Sequence, residues 1–142
     1  MREVKRSALV NQPPGRLFAL INDIESYPQF LPWCTHASVK SRTPQQIVAT
    51  IGVRQGALHG EFTTRNTLDA DRGIRMELVS GPFRTLEGQW LLTPLEGGGC
   101  RVELLMRFAF KNSLTGLILE PKFAATVGSL VDAFVARARG LK

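Results

Sequence analysis

Few residues in this 142-residue chain are equipped to do chemistry. His36 and His59 are the only histidines, the side chains that most readily move a proton near neutral pH. His59 falls on the polar side of an alternating segment, and His36 follows a Pro- and aromatic-rich stretch with no carboxylate at a partner spacing, so neither is assigned a catalytic role. Asp23 and Glu25 stand two residues apart and raise a paired-carboxylate acid–base site. They lie where a first helix should end, however, and Asp23 is better placed there to satisfy local amides and begin the turn into Ile24. Cys34 and Cys100 are far apart and form neither a CxxC pair nor a zinc ligand set; reduced structural thiols are expected, with no disulfide and no metal. No GxSxG or HExxH motif occurs, and Glu96-Gly97-Gly98-Gly99 joins two strand-like segments, which makes it a hairpin turn and not a phosphate cradle. The expected catalytic set is therefore none. Asn66 is the polar residue to watch, because it sits on an apolar strand face where an unpaired amide would cost a few kcal/mol. Either a neighbouring side chain or the carbonyl of a ligand head group must satisfy it.

The elements that would hold these residues follow from hydrophobic period. Leu58, Gly60, Phe62, Thr64, Asn66 and Leu68 share one face of a strand, opposite His59, Glu61, Thr63, Arg65 and Thr67. Ile74, Met76 and Leu78 repeat the pattern, as do Leu86, Gly88, Trp90 and Leu92. The most regular run is Cys100, Val102, Leu104, Met106, Phe108 and Phe110 against Arg101, Glu103 and Arg107. Turn signals at Arg42-Thr43-Pro44, Arg54-Gln55-Gly56, Asp69 to Gly73 and Ser80-Gly81-Pro82 separate the strands into an antiparallel meander with one solvated face. A first strand is expected near Glu3 to Val10 and a short helix from about Pro14 to Asn22. From Ser113 to Ala138 apolar residues recur at three- and four-residue steps, an amphipathic helix of about seven turns, with a bend or restart expected at Pro121. One curved sheet of about seven strands wrapped around that last helix covers its apolar face with the fewest assumptions, an α+β fold in a single domain spanning 1–142. Gly60 and Gly88 on the inner face either leave room between sheet and helix or only permit the sheet to curve.

With 44% hydrophobic and 21% charged residues the chain has the composition of a globular protein, neither disordered nor fibrous. No stretch reads as the roughly 20 apolar residues needed to cross a bilayer, and the charged N-terminus does not read as a signal peptide. A cytoplasmic location is expected, with contact at the inner face of a membrane. The net charge of +6 admits an acidic partner, but Arg54, Arg65, Arg75, Arg101 and Arg107 alternate with Glu61, Glu77, Glu87 and Glu103 on the solvated face, which reads as cross-strand pairing. No aromatic residues interleave with this charge as they would on a base-stacking platform, so sequence-specific nucleic-acid reading is not expected.

Three stretches carry a family resemblance: DIESYPQFLPWC (Asp23 to Cys34), GPFRTLEGQW (Gly81 to Trp90) and FAFKN (Phe108 to Asn112). In this order and spacing the chain resembles the coenzyme Q-binding START-domain family, a group of the polyketide cyclase/START-like superfamily that also contains RatA-type ribosome-association toxins. The resemblance runs from Ser7 to about Arg139. It implies the helix-grip fold, in agreement with the sheet-and-helix reading, and a hydrophobic tunnel holding a prenylated quinone such as ubiquinone, with no further cofactor.

On that implication the tunnel lining would be Phe62, Asn66, Met76, Leu78, Leu86, Trp90, Leu104, Met106 and Phe108 from the sheet, with Val127 and Val131 from the helix. Tyr27, Phe30, Leu31 and Trp33, with Pro82 and Phe83, form greasy clusters in segments that should be irregular. They either plug the ends of the core or form the tunnel entrance, touching a membrane surface while a lipid enters. The function implied is non-enzymatic carriage of a polyprenyl quinone in support of respiration. The alternative is a regulator that binds the 50S ribosomal subunit and blocks subunit association. A cyclase or aromatase is a weaker third reading, because acid and base groups are scarce on the inner face.

Overall fold

Burial along the strands follows the period-two reading, and that alternation decides which way the sheet curves and what it must cover. The computed structural model describes residues 1–140. Strand β1 (Arg2–Val10) leads into helix α1 (Pro14–Asn22) and a 3-10 helix (Ile24–Gln29). Strands β2 (Cys34–Arg42), β3 (Gln46–Gln55), β4 (Leu58–Asp69), β5 (Gly73–Ser80), β6 (Phe83–Pro94) and β7 (Cys100–Phe110) follow as a meander, and the chain ends in helices α2 (Ser113–Gly128) and α3 (Leu130–Gly140). The seven strands form one antiparallel sheet in the order β1-β7-β6-β5-β4-β3-β2. β1 pairs with the last strand, placing Val4 opposite Met106 and Val10 opposite Cys100. The segment through α1 and the 3-10 helix must therefore cross from one sheet edge to the other, and in doing so it closes one side of the concave face.

Register shifts in β2, at Thr63/Thr64 of β4 and at Phe83/Thr85 of β6 bend the sheet, as bulges do by adding a residue to one strand. Helices α2 and α3 lie in the resulting concavity. Phe123, Val127, Val131 and Phe134 are buried there at i, i+4, i+8 and i+11, each burial contributing about 1.5–3 kcal/mol. This is the α+β helix-grip arrangement that the hydrophobic pattern leads to. On the solvated face Arg107 Nε lies 2.9 Å from Glu3 and its Nη1 3.9 Å from Glu87, Arg101 lies 3.6 Å from Glu103, and Arg65 stands opposite Glu77 in register.

The C-terminal helix corrects two expectations. The interruption falls at Ser129 and not at Pro121, which α2 passes through. Proline removes only the amide that would bond the Leu117 carbonyl, and Leu117 is on the solvent side, where the freed oxygen is open to water. At Ser129 the hydroxyl donates to the Thr126 carbonyl at 2.7 Å, while the preceding Gly128 packs closely against the Arg6 guanidinium, 3.0 Å from where a Cβ would stand. The start of α2 is capped by Asn112, whose Oδ1 accepts from the amides of Leu114 (3.0 Å) and Thr115 (3.2 Å). Segment 113–140 is also long and apolar enough, by length and composition, to cross a bilayer, contrary to the reading that no stretch would be. Here one of its faces is committed to the sheet, whereas Leu114, Leu117 and Ile118 are 76, 77 and 64% exposed.

Candidate functional site

Between the concave face of the sheet and the two C-terminal helices lies a cavity of about 60 Å³. Its floor is Ile51 of β3, Phe62, Thr64 and Asn66 of β4, and Met76 of β5. Leu86 and Trp90 of β6 and Met106 of β7 continue it, Phe123, Thr126, Val127, Leu130 and Phe134 form the roof, and Ile24, Tyr27 and Trp33 close one side. The wall sits between two aromatic clusters. In one, Phe134 meets Tyr27 at 5.4 Å, Phe30 at 5.3 Å and Trp90 at 5.5 Å between ring centroids. In the other, Phe83, Phe108, Phe110 and Phe123 pack together and Phe62 makes edge-to-face contacts with Phe83 (5.7 Å) and Phe123 (6.0 Å).

A second space, a groove of about 400 Å³, opens outside that cluster between the β3–β4 hairpin and the start of α2. Val53, Leu58, Gly60, Pro82, Phe110 and Leu119 line it, and Phe62 and Phe123 line both spaces. The pair of rings therefore stands as a partition between groove and cavity.

Of the residues expected to line a tunnel, Phe62, Asn66, Met76, Leu86, Trp90, Met106 and Val127 are on the cavity wall. Leu104, Phe108 and Val131 are buried in the core behind it, and Leu78 is half-buried against that core without reaching the wall. The residues expected at the entrance separate. Tyr27 and Trp33 are buried walls of the inner cavity, and Leu31 is buried in the core. Phe30 packs on Phe134 beneath the Arg137 guanidinium, 4.9 Å from its ring centroid. Pro82 and Phe83 line the outer groove, where Pro82 is exposed and Phe83 buried. Sequence reasoning missed Ile24, Ile51, Thr64, Phe123, Thr126, Leu130 and Phe134 as wall residues. The signal was present: Thr64 shares the Asn66 face, and residues 123, 127, 130 and 134 form one helical stripe.

The two glycines behave differently. Space above Gly88 is filled by methionine, since a side chain there would come 2.7 Å from Met76 Cε and 2.8 Å from Met106 Sδ, whereas nothing stands within 4 Å of the corresponding position at Gly60. Methionine is unbranched and repacks readily, so this filling is the most movable part of the wall.

Titratable groups avoid the cavity. Tyr27 alone among the wall residues can ionise; its hydroxyl donates to the Ile21 carbonyl, and burial, reinforced by Cys34 and Asp23, drives its pKa far above the ordinary phenol range. Both cysteines are free and buried, and burial pushes the Cys34 thiol up to about 11. His36 is exposed on the far side of the sheet, 2.9 Å from Glu61 and 3.0 Å from the Thr35 hydroxyl, and His59 borders the groove. Asp23 corrects an expectation: its carboxylate accepts from the Ser26 hydroxyl at 2.6 Å and bonds no amide, because the backbone carbonyl of Asp23 already takes the Ser26 amide. Glu25 lies 3.8 Å from Arg42. Among the described residues no three His, Cys, Asp or Glu side chains gather as a metal site would require.

Residues 10–135 match the model of a family described as polyketide cyclase / dehydrase and lipid transport. The ribosome association toxin RatA of Escherichia coli strain K12 is 40% identical over 139 residues, covering 98% of this chain and 88% of the relative. The mitochondrial coenzyme Q-binding protein COQ10 of Saccharomyces cerevisiae is 31% identical over 147 residues, covering 96% and 70%. Among solved structures a START superfamily protein from Mycobacterium smegmatis superposes with a TM-score of 0.82 at 20% identity, covering 99% of both chains.

Proposed function

Because the chain belongs to the polyketide cyclase / dehydrase and lipid transport family, we propose that it is a non-enzymatic binder of a polyprenyl quinone such as ubiquinone, held between sheet and C-terminal helices. The observation that carries this reading is the character of the interior: an apolar cavity whose walls hold no acid or base able to work near neutral pH. General acid–base chemistry needs a group with a pKa near the working pH and within reach of the substrate, and Tyr27 meets neither condition while its proton is bonded to Ile21. A cyclase reading therefore finds no proton carrier at this site.

A void of about 150 Å³ is what accommodates a benzene ring in a protein core, so a cavity of 60 Å³ admits a quinone only after side chains move. The groove over Gly60 offers the approach, the Phe62–Phe123 pair the barrier, and Met76 and Met106 the yielding floor. Energetics favour exchange over permanent capture. Burying three isoprene units, about fifteen carbons, is worth on the order of 10 kcal/mol at about 0.8 kcal/mol per methylene, but a bilayer repays the same amount on the other side. A carrier works near that balance. The lipid's source would be the membrane, and the exposed Leu114, Leu117 and Ile118 beside the groove, flanked by Lys111, are the surface suited to meet it. The test is to purify the protein from cells, extract it, identify bound quinone by mass spectrometry, and titrate it with a short-chain ubiquinone. Saturable uptake is expected; a protein that carries no quinone and takes none up ends this reading.

A second reading is association with the ribosome, favoured by the higher identity to a chain named for that activity, 40% against 31% for the coenzyme Q-binding relative. The surplus of 18 basic over 12 acidic residues would supply attraction to RNA phosphates. Sucrose-gradient profiles after overexpression separate the two: subunit and 70S peaks that do not change remove the ribosomal reading and leave the quinone reading intact.

A further inference from the structure

The polar atoms inside the cavity wall are committed unevenly. Thr64 Oγ1 donates to Asn66 Oδ1 at 2.8 Å, which occupies the amide's acceptor and leaves its Nδ2 group with no hydrogen bond, although Asn66 is only 8% exposed. Trp33 is 7% exposed and its Nε1 proton is buried with no partner. Thr126 Oγ1 spends its proton on the Lys122 carbonyl at 2.9 Å. The N–H donors of the wall residues that no protein group uses are thus Asn66 Nδ2 on β4 and Trp33 Nε1 in the segment before β2. A donor left without a partner away from bulk water is destabilising, and a ligand oxygen removes that cost. None of the wall residues is Lys, Arg or His, so an anionic head group would enter without a counter-charge, and an unpaired buried charge is far more costly than an unpaired dipole.

Resting on the lipid-binding reading, we infer that Trp33 Nε1 and Asn66 Nδ2 are the head-group donors of the site and that they select neutral lipids bearing carbonyl oxygens over lipids with a carboxylate or phosphate head. Asn66 is held in its donating orientation by Thr64, and the Trp33 ring is fixed by burial, so both donors are pre-positioned before the lipid arrives.

The experiment compares three probes at pH 8: a ubiquinone with two isoprene units, farnesene as an oxygen-free hydrocarbon of similar length, and oleate as an anion. Affinity for the quinone is read from quenching of tryptophan fluorescence, and for the others from displacement of the quinone. The wild-type protein is expected to prefer the quinone over oleate by about 100-fold or more. Trp33→Phe, which keeps a ring and leaves Trp90 as reporter, and Asn66→Leu, which keeps the branched shape, are each expected to weaken the quinone about 5- to 20-fold while changing farnesene less than twofold. The infrared carbonyl stretch of the bound quinone should move toward its hydrocarbon-solution position in both variants. Equal loss of quinone and farnesene, or oleate binding as tightly as quinone, overturns the inference. Undiminished quinone affinity in both variants overturns it alone; a wild-type protein that takes up neither quinone nor farnesene overturns the lipid reading with it.

Discussion

If the Phe62 and Phe123 rings are the barrier between groove and cavity, removing one of them should speed entry by an amount their contacts set. Phe62→Ala deletes two edge-to-face contacts, to Phe83 at 5.7 Å and to Phe123 at 6.0 Å, each worth about 0.5–1.5 kcal/mol. Because Phe62 is half-buried, the lost burial adds about 1 kcal/mol, and because the ring borders an open groove no sealed void is left to add a cavity term. The total, about 2–4 kcal/mol, should lower the thermal midpoint by roughly 6–16 °C for a chain of this size. The contacts that a wild-type ring must give up on opening sum to about 1–3 kcal/mol, so association should accelerate about 5- to 150-fold. Both tryptophans of the chain lie on the cavity wall, so stopped-flow quenching by a short-chain ubiquinone reads arrival directly. Phe30→Ala serves as control, since that ring belongs to the other aromatic cluster and borders neither space. An unchanged association rate in a Phe62→Ala protein that shows the expected loss of stability would falsify the gate, and equal acceleration in Phe30→Ala would show that general loosening is responsible.

Three further perturbations test other parts of the argument. Gly88→Ala should push the ends of Met76 and Met106 into the cavity, keeping the midpoint within about 3 °C because both ends are flexible while weakening quinone binding about tenfold by titration. Alkaline pH should destabilise the fold: Cys34 holds its proton up to about 11 when folded but loses it near 8.5 when unfolded, so the native state binds more protons between those values and stability falls as pH rises through them. Calorimetric midpoints from pH 8 to 11 check this, with a shallower fall in Cys34→Ala. Replacing Leu114, Leu117 and Ile118 together by Ser should leave the midpoint within about 2 °C, since all three are exposed, yet reduce sedimentation with phosphatidylglycerol vesicles at least about fivefold. A triple variant that binds vesicles like the wild type places the membrane contact elsewhere.

Strand faces were legible because alternation is a local property. Each of Leu86, Trp90 and Leu92, or Cys100, Val102 and Leu104, declares its face through its immediate neighbours, and burial agrees. The end of the first helix and the hairpin turns were legible for the same reason, through Pro, Gly and Asp at fixed offsets. The wall of the cavity was legible only in part. Leu104 and Phe108 share a face with Met106, and nothing in their spacing says that Met106 reaches the cavity while they pack behind it. That depends on how far α2 and α3 sink into the sheet, which bulges in three strands and the break at Ser129 control. For Tyr27 and Trp33 the choice between core plug and tunnel entrance stays open in the sequence because grease in an irregular segment has no period to read; the long crossing from β1 to β2 turns it inward.

The amino-acid order alone dictates the sheet, its solvated face, the amphipathic character of the C-terminal segment and the scarcity of proton carriers, because these follow from residue type and spacing within a few positions. Whether the inner face encloses a tunnel, a small cavity or solid core is a matter of how two layers approach, and no local pattern records it. Tertiary structure alone folds Met76 and Met106 over Gly88, sets Phe62 against Phe123 between two spaces, and pairs Thr64 with Asn66 on the cavity wall. Those contacts join residues distant along the chain, and their geometry is fixed only when the whole core packs.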